Sequence, residues 1–233
     1  MMKMIWSGLA AIVLTMNCPQ QADAQDIALN SDREKLGYAI GMDIGQTIEE
    51  LDADIDQEAL TAGILDRLNH RKAKLSKEEA ARVQQAFFTK RAEQQAAERD
   101  KLGEKNMQEG KAFLARNKKK KGVTTTASGL QYEVIAMGDG PKPRATDMVE
   151  VHYRGTLLDG TEFDSSYRRG QTATFPLNGV IRGWTEGVQL MPVGSKFRFF
   201  IPPGLAYGAR GAGAAIGPNA TLIFEVELLD IKG

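Results

Sequence analysis

Five aromatic residues in the last third of the chain are the side chains best suited to form a binding site. They come from distant positions within one small segment: Tyr153, Phe163, Trp184, Tyr207 and Phe224. Aromatic rings with few charges around them suit an apolar substrate, because pockets for small apolar groups are lined mainly by such side chains. The sequence therefore predicts an apolar pocket assembled from several parts of one domain.

Two other kinds of site, a hydrolase triad and a phosphate-binding loop, are poorly matched by the same part of the sequence. Ser165 or Ser166 with His152 could suggest a hydrolase triad, but a Gly-x-Ser-x-Gly elbow is absent and His152 is expected to face away from the core. The glycine-rich segment 208–217 lacks the Lys-Ser/Thr ending of a phosphate-binding loop, and no clear helix follows it. We interpret it instead as a flexible flap beside Tyr207.

The elements that must position the aromatic residues are predicted to be mainly strands. Residues 149–153 alternate between apolar and polar, which places Tyr153 on the core side of a strand. Residues 196–201 and 221–231 are rich in branched and aromatic side chains, which favours two further strands. A short helix is predicted over residues 184–190.

Five short segments together carry a resemblance to a known family. They are residues 151–156, 159–166, 180–184, 206–213 and 220–228. In this order and at these spacings, they resemble the FKBP-type peptidyl-prolyl cis–trans isomerases over roughly residues 122–233. The resemblance implies an antiparallel β-sheet wrapped around one short helix, and non-covalent catalysis of rotation about the peptide bond before proline.

The resemblance also implies roles for individual residues. Trp184 would form the floor under the proline ring, Tyr207 would donate a hydrogen bond to a substrate carbonyl, and Asp164 would lie near the rotating amide. The implied catalytic residues are Tyr153, Phe163, Asp164 and Tyr207. The implied substrate-binding residues are Arg169, Val180, Ile181, Trp184, Ile216 and Phe224. No cofactor is implied, and two histidines with one cysteine are too few for a standard structural zinc site.

The implied partners are proline-containing unfolded or partly folded proteins, with macrolide inhibitors as possible ligands. The chain departs from the smallest family members at three places. Ala173 stands where many carry a second phenylalanine, the segment before Val180 is shorter, and Ala212 and Ala215 replace bulkier flap residues. These changes leave the floor intact and concern substrate preference and macrolide affinity.

Residues 1–24 are predicted to be an export signal. An apolar run over residues 8–16 follows a lysine and is too short to span a bilayer stably. A small-x-small pattern predicts cleavage after Ala24, so that the mature chain begins at Gln25 in the periplasm. The alternatives are an N-terminal core helix and a lipid anchor on Cys18, which would associate the protein with the outer membrane.

Residues 25–75 are predicted to form a helical dimerisation domain. Apolar residues recur every four positions along residues 36–48, next to Gly37, Gly41 and Gly45 at the same spacing. A glycine inside a helix costs about 0.5–1 kcal/mol relative to alanine. Three in register therefore indicate the close approach of another backbone, supplied either by a homodimer with exchanged helices or by an intrachain contact.

A long helix is predicted over residues 76–117. Ser76 begins a capping box, and no proline interrupts the segment, so the helix would be about 60 Å long. Beyond residue 90 the composition is polar on all faces, which predicts a solvated spacer between domains. Gly103 and Gly110 are expected to be weak points where this helix could bend.

This front half resembles the dimerising stalk of the Mip and FkpA-like exported isomerases of Gram-negative bacteria, through residues 34–43 and 111–118. In that group the stalk helices intertwine, and isomerase domains lie at the ends of long helices. The predicted class is therefore α+β: an all-helical stalk and a long connecting helix precede an FKBP-like isomerase domain over residues 118–233.

The predicted function is a homodimeric isomerase that assists protein folding in the bacterial envelope. The alternative is a chaperone that holds unfolded chains and retains only residual isomerase activity. Lys plus Arg and Asp plus Glu balance at 30 each, so the charge does not favour nucleic acid or an anionic membrane as a partner.

Overall fold

The computed structural model of the protein describes residues 27–232, and the predicted export signal and Cys18 lie outside them. The α-helices are α1 (Asp32–Glu50), α2 (Gln57–Leu68), α3 (Lys77–Asn117) and α4 (Arg182–Val188). The strands are β1 (Val123–Thr125), β2 (Gln131–Ala136), β3 (Met148–Thr156), β4 (Glu162–Ser165), β5 (Ala173–Pro176), β6 (Lys196–Ile201) and β7 (Leu222–Lys232). Helices thus precede an antiparallel sheet, which confirms the predicted α+β class.

The chain divides into two compact units between residues 74 and 75. The first unit contains α1 and α2, and both helices begin at capped ends. Ser31 and Glu34 form a capping box on α1, and the Asp56 carboxylate accepts a hydrogen bond of 2.7 Å from the Ala59 amide. Such caps satisfy backbone groups that otherwise lack a partner at helix ends.

The predicted apolar stripe of α1 is exposed. Leu36 and Ile40 are 63% and 52% exposed, and no residue of α1 or α2 is buried. At Gly37, Gly41 and Gly45, no described atom beyond the adjacent residues and the nearby backbone of the helix lies within 4 Å of the position that a Cβ would occupy. Among residues 27–232, no helix combines the length and the apolar character needed to cross a membrane.

The second unit begins with α3, whose predicted capping box at Ser76 is confirmed. The helix is continuous to Asn117, and Gly103 and Gly110 both lie within it. The prediction of a solvated spacer is wrong for the last part of α3, where Gly103, Gly110 and Asn117 are buried. The polar composition did not reveal these contacts because glycines and polar side chains make many of them, alongside Phe113.

The sheet has the order β1-β2-β6-β7-β3-β4, with β5 paired to another part of β3, and every pairing is antiparallel. Alternate residues of β7 are buried, as their period of two predicts: Leu222, Phe224, Val226 and Leu228. In the register of the central strands, Tyr153 lies opposite Val226 and Phe199 lies opposite Phe224. The core side of the sheet therefore carries a continuous apolar surface.

Helix α4 lies close against this surface because two of its residues are glycines. A Cβ at Gly183 would lie 2.5 Å from Ile201 Cγ2, and one at Gly187 would lie 2.6 Å from Phe199 Cε1. Both distances are too short for any side chain, so only glycine permits the observed separation. This packing places Trp184, which lies between the two glycines, against the core side of the sheet.

Candidate functional site

An open cavity of about 750 Å³ lies above Trp184 in the second unit. Its lining comes from β3, β4, β5, α4, β7 and the loops before α4 and β7. The lining residues are Tyr153, Phe163, Asp164, Phe175, Gly179, Val180, Ile181, Trp184, Tyr207, Ala212, Gly213, Ala215, Ile216 and Phe224. The surface that they present is mainly apolar and aromatic, with a single carboxylate among them.

The aromatic rings fix one another in edge-to-face contacts around Trp184. The ring centroid of Trp184 lies 5.2 Å from that of Tyr153, 5.8 Å from that of Phe175 and 5.3 Å from that of Phe224, with interplanar angles of 83° to 89°. This arrangement is favoured because the positive edge of one ring meets the negative face of the next. The indole is 4% exposed and forms a rigid apolar floor.

Asp164 lies at the wall of this cavity in a closed network of hydrogen bonds. Its carboxylate accepts hydrogen bonds from the Tyr153 hydroxyl and from the Arg169 guanidinium. Arg169 also donates to the Tyr153 hydroxyl at 2.9 Å, and its guanidinium carbon lies 5.5 Å from the centre of the Tyr153 ring. The network therefore holds the only carboxylate of the lining in one orientation.

The network also sets the protonation states of its members. Partial burial acts to raise the pKa of Asp164, but hydrogen bonds from Tyr153 and Arg169 outweigh it and hold that pKa below its ordinary value. Burial, assisted by the hydrogen bond to Asp164, raises the pKa of Tyr153. At neutral pH the site therefore contains a carboxylate and a neutral phenol.

The structure brings the residues singled out in the sequence together. All of the predicted catalytic and substrate-binding residues line the cavity except Arg169, which contacts it through Asp164 and Tyr153. Tyr207 is 40% exposed at the rim, whereas Ile216 is buried in the wall. Their individual roles in catalysis remain predictions.

Sequence reasoning missed Phe175, whose ring contacts both Tyr153 and Trp184. It treated Ala173 as the loss of an aromatic residue from this region. Residues two apart on a strand share a face, so Phe175 was available to take that place. The shortened segment before Val180 was the signal that could have identified it.

Ser166 and His152 come together in the structure, but they do not line this cavity. His152 Nδ1 lies 3.0 Å from Ser166 Oγ. Ser166 is completely buried, and its hydroxyl is engaged with the backbone amide and carbonyl of Tyr153 at 2.8 and 3.2 Å. A substrate could not reach this hydroxyl, so the pair joins β3 to the turn that follows β4.

Family models match both halves of the chain. Residues 140–229 match the model described as FKBP-type peptidyl-prolyl cis–trans isomerase. Residues 33–134 match the model of the domain amino-terminal to FKBP-type peptidyl-prolyl isomerase.

Similar proteins extend this match over nearly the whole length. The chain is 51% identical over 218 residues to the FKBP-type peptidyl-prolyl cis–trans isomerase FkpA of Aeromonas hydrophila, covering 91% of this chain and 81% of that protein. It is 39% identical over 231 residues to the outer membrane protein MIP of Legionella longbeachae, covering 99% and 98%. The crystal structure of FkpA from Escherichia coli superposes with a TM-score of 0.66 at 40% identity, over 88% of this chain and 99% of that one. The chain therefore belongs to the family of FKBP-type peptidyl-prolyl cis–trans isomerases.

Proposed function

We propose that this protein is a peptidyl-prolyl cis–trans isomerase that assists protein folding in the bacterial envelope, and that catalysis takes place in the aromatic cavity. The observation that carries the proposal is the combination of a rigid apolar floor at Trp184 with one oriented carboxylate, Asp164, at the wall. A proline ring fits such a floor, and the polar peptide group beside it would lie near the carboxylate.

The reaction needs no nucleophile or proton relay. Rotation about a peptide bond has a barrier of about 18–20 kcal/mol because resonance must be broken. The twisted transition state has lost amide delocalisation and is less dipolar than either planar state. An apolar site that excludes water therefore favours the transition state over the ground state, which is the condition for catalysis.

In this proposal each side chain has a role that follows from its position in the cavity. Trp184 supports the proline ring, with Val180, Ile181, Phe224 and the other apolar lining residues around it. Tyr207 at the rim donates a hydrogen bond to a substrate carbonyl. Asp164, kept ionised by its partners, lies beside the rotating amide, and macrolides would compete for the same cavity.

A comparison of two aspartates tests the catalytic assignment. Asp164 and Asp230 are both paired with a cation, but Asp230 pairs with Lys232 at the far end of β7. Isomerisation of a short Xaa-Pro peptide should fall severalfold in Asp164→Ala and stay unchanged in Asp230→Ala. An inactive parent protein would overturn the proposed function, and equal activity of the three folded proteins would remove Asp164 from the site.

The same proposal includes a homodimer formed through the first unit. The exposed stripe of α1 and the open space at Gly41 support it, because an apolar face beside in-register glycines suits close packing against another helix. A second copy of the chain offers the same face, as a two-fold interface requires. We place this dimer in the periplasm, with outer-membrane association as the alternative.

The isomerase and the chaperone alternatives predict different effects of a substitution in the cavity. If the protein is an isomerase, Asp164→Ala should accelerate proline-limited refolding severalfold less than the parent does. If it mainly holds unfolded chains, Asp164→Ala should suppress the aggregation of an unfolded protein as well as the parent does, and the parent should accelerate proline-limited refolding only weakly.

A further inference from the structure

The C-terminal half of α3 contacts residues 208–221. This segment comprises the glycine-rich residues 208–217 and the four residues that follow them, and from here on we call all of it the flap. The Arg99 guanidinium donates a hydrogen bond to the carbonyl of Arg210. Further along the helix, Asn106 Nδ2 donates to the carbonyl of Pro218 at 2.8 Å. Side chains of α3 thus hold the backbone of the flap at two points eight residues apart.

The contact is close because α3 carries glycines on the same face. A Cβ at Gly103 would lie 3.3 Å from the Asn219 side chain, and the Asn219 amide reaches the Gly103 carbonyl at 3.4 Å. A Cβ at Gly110 would lie 3.3 Å from Thr221 Cβ and would overlap Thr221 Oγ1. Glycine is unfavourable inside a helix, so two at these contacts indicate that the approach of α3 matters to the fold.

The contact residues form one stripe along the helix. Their order is Arg99, Gly103, Asn106, Gly110, Phe113 and Asn117, with alternating spacings of four and three. Below the flap, the Phe113 ring packs 5.7 Å from that of Phe200, and Asn117 Nδ2 donates to Gln131 Oε1 at 3.0 Å. The stripe therefore anchors α3 both to the sheet and to the flap.

The flap also forms one wall of the cavity, through Ala212, Gly213, Ala215 and Ile216, directly after Tyr207. Its own side chains are small and offer little packing. Within the flap, the backbones of Ala212 and Ile216 exchange hydrogen bonds of 2.8 and 3.1 Å. The Asn219 and Gly211 amides also donate to the Gly208 carbonyl at 2.8 and 3.4 Å. These bonds are local, so a neighbouring element that supports the flap limits its opening.

We propose that Arg99 and Asn106 are positioning residues for the isomerase reaction: they hold the flap so that Ile216 and Tyr207 stay in the cavity wall. They touch no substrate and act only through the flap. The inference rests on the proposed function, since it concerns the same cavity. It makes the last part of α3, about five turns from Arg99 to Asn117, part of the isomerase unit.

An isosteric substitution in the full-length protein tests this assignment. Asn106→Asp keeps the shape of the side chain but replaces the donor to the Pro218 carbonyl with an oxygen. Gln108→Glu makes the same amide-to-acid change at an exposed position of α3 and serves as the control. We expect kcat/KM for a short Xaa-Pro peptide to fall about threefold or more in Asn106→Asp alone, because small misplacements of a binding wall are costly.

Hydrogen exchange provides the readout that a general loss of stability would not reproduce. In Asn106→Asp, backbone amides of residues 208–219 should exchange faster, while those of β3 and β7 should keep the rates of the parent. Unchanged exchange in the flap would overturn the proposal. Faster exchange in the flap with an unchanged kcat/KM would overturn it as well.

A rescue experiment gives a second, independent test. Gly110→Ala should displace Thr221 and lower kcat/KM, and adding Thr221→Ala should restore it, because Thr221 Oγ1 is buried with no hydrogen-bond partner among the described residues. Gly204→Ala adds a methyl group where nothing lies within 4 Å and should change nothing. Equal activity of Gly110→Ala and its double variant would overturn the proposal, whereas an inactive parent would overturn the proposed function itself.

Discussion

Phe163 lies edge-on against Phe224, with ring centroids 5.4 Å apart and planes at 82°. Gly155 lies beneath both rings: a Cβ there would be 2.6 Å from Phe163 and 2.8 Å from Phe224. The two rings therefore come together only because β3 has no side chain at this position. Phe163 closes one side of the cavity without being part of its buried floor.

Phe163→Ala should lower isomerisation of short Xaa-Pro peptides severalfold while the fold survives. The ring lines the cavity but is only partly buried, so its loss removes substrate contact more than core packing. Peptide kinetics and a circular dichroism spectrum of the same preparation check both parts. A folded variant with the activity of the parent would exclude Phe163 from the site.

The lowered pKa of Asp164 predicts how activity depends on pH. The carboxylate stays ionised above its ordinary pKa, so kcat/KM should be flat from about pH 5 to about pH 8. Its contribution to stability is present above the unfolded pKa and is lost as the pH falls through the lower folded value. Asp164→Asn should weaken this acid-dependent loss in equilibrium unfolding, and an unchanged acid limb would contradict the assignment.

Gly187→Ala should destabilise the second unit by about 1–3 kcal/mol, because overpacking a core forces its neighbours to move. The new Cβ would lie 2.6 Å from the Phe199 ring. Gly204→Ala is the matched control, since nothing lies within 4 Å of its Cβ position. Urea unfolding of both variants gives the comparison, and equal midpoints would contradict the packing argument.

Gly41→Leu should weaken the proposed homodimer, because a bulky side chain cannot fit where two helices approach closely. Overpacking costs about 1–3 kcal/mol per site, and a symmetric dimer meets the change twice. Short-peptide isomerisation should stay nearly intact, whereas refolding of a whole protein should suffer more because two linked sites raise the effective concentration at the second.

Sedimentation of Gly41→Leu measures dimerisation, and the peptide isomerisation and whole-protein refolding assays measure its effect on activity. A variant that remains fully dimeric would show that the glycines of α1 do not form the dimer contact. A monomer with undiminished activity on whole-protein substrates would show that linking two sites is not what assists folding.

Export should remove residues 1–24 and leave Gln25 as the first residue without a lipid. The mass of the protein isolated from its native envelope measures this directly. A mature chain that begins at a lipidated Cys18 would contradict the prediction and place the protein on a membrane surface.

The spacing of apolar residues and the helix-capping residues were enough to predict much of the fold. The alternation around Tyr153 and along β7 gave the correct core faces, and the capping box at Ser76 marked the start of α3. These features depend on neighbouring residues, which is why one sequence suffices to find them. The assembly of the cavity came from the family resemblance, because period alone does not bring Phe163 to Phe224.

The contact between α3 and the flap could not be predicted by the same reasoning. A search for apolar stripes passes over Arg99 and Asn106, and it interprets Gly103 as a weak point. Here the close approach of the glycine backbone and the side-chain N–H groups of Arg99 and Asn106, which donate to carbonyl groups of the flap, make the contact. The sequence shows only the regular spacing of these residues along α3. The structure explains this spacing, because the residues contact the flap.

The small side chains of the flap have a consequence for the range of clients. Ala212, Gly213 and Ala215 give this side of the cavity lining only small side chains. Small side chains would place few atoms against the residue that precedes proline, so peptides with bulky and small residues there should react at similar rates. Such an enzyme would recognise the proline ring and its peptide group more than the neighbouring side chains, which suits a folding assistant that meets many unrelated sequences.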